Sequence, residues 1–193
     1  MRTIRFLSVF AAAIILSFSI SAQNGRVLGE AQRISGDAFS VRSNTRMGAS
    51  VYAVRQPSAR TLGAIDDGLT QLFAVARKHG YRAKLNYSDY TIYIARADRQ
   101  RSAATGLYSP DIATGAAQYA GSVYDQGGFI YVAGIIVALN PCAFMIAEHT
   151  SEFSRVSEAV RHEGEHLVLY HNDRRRYNRT ADHSRGGGHP ILQ

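Results

Sequence analysis

The strongest helical rhythm in the chain begins near Leu62, where Ile65, Leu69, Leu72, Phe73 and Ala76 recur three or four residues apart. That spacing predicts a helix with one apolar face, and Gly80, just behind Arg77, Lys78 and His79, is a suitable stop for it. A second amphipathic helix is predicted from Thr150 or Ser151, either of which can cap it, through Phe153, Val156, Val160 and Leu167 toward Tyr170. Between the two the rhythm shortens to two residues. Tyr81, Ala83, Leu85 and Tyr87 alternate, the region 86–89 can turn, and 90–97 alternates again, so a paired hairpin is expected. The unbroken apolar run 129–139 is rich in β-branched residues and reads as a central strand or two, ended by Asn140-Pro141 and followed by a shorter apolar piece at 143–147.

The polar stretches are less informative. Residues 23–60 alternate only briefly, near 38–41 and 51–54, and read as strands and loops packed on the domain or as a propeptide. Residues 99–128 are small, polar and Gly-rich, as in a long surface excursion, with a short helix expected around 111–119. No internal repeat is visible. Helix, hairpin, strand and helix in this order predict a mixed α+β domain over residues 61–193.

The first 22 residues have a different pattern: Arg2 and Arg5, an apolar run over 6–16, and small residues at Ser19, Ser21 and Ala22. This is the layout of a secretory signal peptide with cleavage after Ala22, and it predicts a secreted or periplasmic protein. The run is short of the roughly 20 residues that a membrane span requires, and no later segment is longer, so no stable span is expected after processing. Cys142 is the only cysteine, so no intrachain disulfide can form and the fold must rest on packing and on any metal it binds. Losing Arg2 and Arg5 takes the formal charge from +7 to +5. Arg174, Arg175, Arg176, Arg179 and Arg185 crowd the tail, a solvated basic stretch that is also able to attract nucleic acid, anionic envelope polymers or acidic substrates. The clustered His, Asn, Asp and Arg match no nuclease spacing, and no nucleic-acid partner is assured.

Chemistry concentrates in the second helix. Residues 162–166 read His-Glu-Gly-Glu-His, which satisfies the H-E-x-x-H pattern. On a helix, residues four apart differ by about 40° around the axis and about 6 Å along it, so the imidazoles of His162 and His166 can converge on one ion. Residue frequencies give on the order of 0.01 chance occurrences of this pattern in such a chain, which argues against coincidence. A hydrolytic zinc takes three protein ligands and keeps one open position. Candidates for the third are His171, Asp173, His183 and His189. Continued as helix, His171 points to the far side and Asp173 lies about 10 Å along the axis, which leaves the two later histidines. Gly164 in mid-helix costs about 1 kcal/mol relative to Ala, and close approach of a strand beneath it is the expected reason.

The motif resembles the active-site helix of the zincin metallopeptidases, and the resemblance covers mainly residues 129–189. It implies a zincin-like mixed sheet, a Zn2+ cofactor, and hydrolysis of a protein or peptide substrate by a zinc-activated water, with Glu163 as general base. The same five residues also fit the inverted pattern H-x-x-E-H, in which Glu165 is the base. The helical wheel places Glu163 nearer the apolar stripe and Glu165 further into solvent, which favours Glu163. The metzincin variant is disfavoured, because Asn172 stands where its third ligand belongs. The basic loop after Tyr170 is more similar to the SprT-type arrangement, in which a later loop histidine completes the site. That makes His183 the preferred third ligand, with His189, behind its run of glycines, as the alternative. Expected is an exported zinc metalloprotease, with the edge of the 129–139 strand aligning the substrate. The alternative is a non-catalytic periplasmic module that binds zinc or the envelope.

Overall fold

The computed structural model describes residues 25–96, 125–126, 129–132, 135–181 and 187–192. The segment proposed as a signal peptide and the helix expected at 111–119 lie outside the described residues. Helix α1 spans residues 25–35 and is followed by β1 (Val41–Asn44), β2 (Ser50–Ala53), α2 (Ala59–Lys78), a 3-10 turn and β3 (Tyr90–Ala95). Then come β4 (Asp125–Gln126), β5 (Phe129–Val132), β6 (Ile135–Ala138), β7 (Cys142–Ala147), α3 (Phe153–Asn172) and α4 (Arg174–Thr180). All seven strands form one mixed sheet in the order β1-β2-β3-β7-β6-β5-β4. Strands β2, β3 and β7 run parallel, and the other neighbours pair antiparallel. The molecule is a mixed α+β fold.

Alternation along the strands divides the core in two. Val51, Ile92, Ile94, Val137, Phe144 and Ile146 face α2 and α3, while Tyr93, Ala95, Ile136, Ala138, Ala143 and Met145 pack with Val27, Ala31 and Ile34 of α1. Strand β7 is buried over its whole length because both faces are covered, so its sequence shows an apolar run and no alternation. Cys142 lies within it, and burial pushes its thiol up to about 12, in keeping with a packing role.

The predicted helices match α2 and α3. Ser58 caps α2 by accepting from the Thr61 N–H, and Gly80 adopts φ 77 just behind it. At α3, however, the capping position is Glu152, whose side chain makes no capping bond, so neither Thr150 nor Ser151 has the expected role. The expected hairpin is also corrected. Only its second half is a strand, and β3 pairs with β2 and β7, both parallel. Lys84 interrupts the first half at φ 56, and the Asn172 side chain binds it from outside, accepting from the Arg82 and Ala83 N–H groups at 2.9 and 2.8 Å. The run 129–139 folds into β5 and β6, but β6 lies between β7 and β5, and β5 pairs with β4. Among the described residues β4 pairs only with Phe129 and Ile130, and β7 only with Val137 and Ala138, so the run is a pair of inner strands whose far ends extend past their neighbours.

Gly68 and Gly164 set the spacing of the two helices. A Cβ on Gly68 would stand 2.5 Å from the Ser157 carbonyl oxygen, and one on Gly164 would stand 2.5 Å from a Leu72 methyl. Gly164 thus makes room for α2, not for a strand beneath the site.

Candidate metal and hydrolytic site

Helix α3 presents the H-E-x-x-H residues along more than one side. Its apolar stripe, Val156, Val160, Gly164 and Leu167, is buried. His166 is buried too, whereas His162 and Glu163 are half-buried. Glu165 is fully buried, contrary to the expectation that it points into solvent. The reason lies in residues 187–192, which return across α3 as a strap. The Gly188 N–H donates to the Thr180 carbonyl at 3.0 Å, and the Ile191 side chain enters the core between sheet and helices. The Ile191 N–H donates to Glu165 Oε1 at 2.9 Å, and His189 Nδ1 lies 3.0 Å from Glu165 Oε2.

The strap carries His189 onto the helix pair. Its ring centroid lies 4.6 Å from that of His162, nearly stacked, and 5.1 Å from that of His166. His189 therefore meets both imidazoles of the helix, from a distant part of the sequence. His183, the preferred third ligand from sequence, lies outside the described residues. His171 is engaged elsewhere, with Nε2 2.8 Å from the Leu139 carbonyl oxygen, and Asp173 accepts from the Arg176 N–H to cap α4. Tyr177 is a core residue and Tyr170 packs edge-on against it.

The electrostatics suit ligand and base roles. Burial, with His189 next, lowers the pKa of His162 and favours the neutral imidazole that a metal requires. Burial also pushes the Glu163 carboxyl up to about 7, with His189 opposing the rise. A hollow of about 400 Å³ opens beside these two residues, bounded by Ile146, Ala147 and His149 at the end of β7 and by Ala159, His162 and Glu163 on α3. A neighbouring hollow of about 280 Å³ shares His149 and lies over the ends of β2 and β3. The larger depression between the first halves of α2 and α3, about 660 Å³, is lined by Arg60, Asp67, Glu158 and Arg161 and holds none of the three histidines.

Three imidazoles with an adjoining carboxylate are a donor set that fits Zn2+. Among the described residues no His, Cys, Asp or Glu group stands already converged on a common point, because His162 and His189 meet face to face. The fit rests on donor chemistry and on the buried carboxylate that holds His189. Among those residues no helix is long and apolar enough to cross a membrane. No protein-family model, curated protein or solved structure matches the chain.

Proposed function

We propose that the chain is an exported zinc metallopeptidase of zincin-like type, in which His162, His166 and His189 hold the metal. The observation that carries this reading is the contact of His189 with both histidines of the H-E-x-x-H helix. His183 remains the alternative third ligand. A bound zinc supplies Lewis-acid polarisation of a carbonyl and lowers the pKa of water. Glu163 borders the hollow beside His162, and there it takes the proton of the attacking water and passes it to the leaving amine. Glu165 is unsuited to that task, because both its oxygens are already engaged by the strap, Oε1 by the Ile191 N–H and Oε2 by the His189 ring. The substrate is an extended peptide lying in the hollows that meet at His149. Arg77, Arg82, Arg174, Arg175 and Arg179 are exposed, and Asn172 ties their two segments together. They form a basic face suited to an anionic envelope polymer.

The test compares wild type with Glu163→Gln for zinc content and for cleavage of an unfolded protein such as casein. The expected result is equal zinc with cleavage reduced by about 10²–10⁴-fold in the variant. Loss confined to Glu165→Gln, with zinc retained, would return the base to Glu165. Zinc uptake with no cleavage by wild type would favour the non-catalytic module.

A further inference from the structure

Building on the metal reading, we propose that Glu165 is the positioning residue that fixes the ring tautomer of His189 and couples the docking of the C-terminal strap to metal binding. The Glu165 side chain is fully buried, and a glutamate in that position is rare unless its oxygens are satisfied. Here each oxygen faces a different group of the strap, Oε1 the Ile191 N–H at 2.9 Å and Oε2 the His189 Nδ1 at 3.0 Å. An ionised carboxylate only accepts hydrogen bonds. A neutral His189 ring hydrogen-bonded to an ionised Glu165 carries its hydrogen on Nδ1 and its lone pair on Nε2, the tautomer in which Nε2 is the metal-binding nitrogen.

The strap itself does not impose this. Gly187 and Gly188 precede His189 and restrict the backbone little, while the Gly188 N–H on Thr180 and the Ile191 side chain in the core place the strap without choosing a ring tautomer. A neutral amide at position 165 would satisfy the Ile191 N–H equally well. What the carboxylate adds is a second acceptor, and an acceptor behind a ligand histidine both orients the ring and raises its basicity. The two glutamates of the motif thus divide the work: Glu163 borders the hollow, and Glu165 holds the third histidine from behind.

The substitution Glu165→Gln separates these effects. The amide oxygen can keep the Ile191 N–H, but the amide nitrogen then donates to His189 Nδ1 and shifts the ring hydrogen to Nε2. Long-range ¹H–¹⁵N NMR of the metal-free full chain at about pH 8, where histidine is mostly neutral, reads the tautomer directly. Expected are the Nδ1–H form of His189 in wild type and the Nε2–H form in Glu165→Gln. In parallel, zinc affinity should fall by about 10- to 100-fold in Glu165→Gln, and adding His189→Ala should weaken it little further than His189→Ala alone. An Nε2–H ring in wild type, the same tautomer in both proteins, or undiminished zinc affinity in Glu165→Gln overturns the assignment. If that variant does not fold, the wild-type tautomer still decides. A wild-type chain that takes up no zinc defeats the metal reading alone, because the NMR comparison uses no metal.

Discussion

At the scale of single residues, the two helix glycines look equivalent in sequence but differ in what surrounds them. An added methyl at Gly68 meets the Ser157 carbonyl at 2.5 Å and Val160 Cβ at 2.8 Å, neither of which can move without shifting α3. At Gly164 it meets the end of the flexible Leu72 side chain. Replacing Gly by Ala in a helix otherwise gains roughly 0.5–1 kcal/mol. Gly68→Ala should therefore lose about 1–3 kcal/mol through overpacking, while Gly164→Ala should stay within about 1 kcal/mol of wild type, as read from urea unfolding midpoints. The helix that carries His162, Glu163 and His166 was legible because helical spacing is local. The burial of Glu165 was not, since it depends on a strap more than 20 residues away, and a helical wheel contains no information about what covers its polar side.

At the scale of elements, α4 shows how one carboxylate can organise a junction. Asp173 caps α4 through the Arg176 N–H and accepts from Tyr81 Oη at 3.2 Å, so it joins the end of α3 to the segment after α2. The backbone bond to Arg176, aided by Tyr81 and the charges of Arg176 and Arg179, holds its carboxyl below the usual carboxylate range. A depressed folded-state pKa stabilises the fold above the unfolded value and is lost as pH falls through the folded value. Asp173→Asn keeps a capping oxygen but has no charge to titrate. Its melting temperature should lie below that of wild type at about pH 6, and the gap should close toward about pH 3. A gap that does not change with pH would assign the effect to geometry alone.

The same element scale explains what was misread in sequence. In the supposed first hairpin strand, Tyr81, Leu85 and Tyr87 are spaced two or four apart because they fold onto the helical side of the core from an irregular segment. Helix α1 went unrecognised although Val27, Leu28, Ala31 and Ile34 have helical spacing, because Gly25 and Gly29 weaken the local signal and the segment is short. Its partner surface, the second face of β3, β6 and β7, shows only in the assembled sheet.

At the scale of the whole molecule, the parallel strands β2, β3 and β7 end where α3 begins, and the hollows around His149 gather at that end. The strap covers Glu165 and brings His189 against His162, which borders one of these hollows. A chain ending at residue 186 would lose the burial of Ile191, worth about 1.5–3 kcal/mol, together with both strap contacts of Glu165, whose carboxylate would return to water. Thermal unfolding of that truncation should therefore begin well below wild type, whereas removal of an unpacked tail would leave it unchanged.

The central claim is that residues 153–172 and 187–192 together make one metal site. Zinc bound per chain at equilibrium, measured by dialysis and metal analysis for wild type, His162→Ala and His189→Ala, tests it most directly. The predicted result is one zinc per wild-type chain and a large loss of affinity in both variants. Full zinc binding by His189→Ala, or none by wild type, would contradict it.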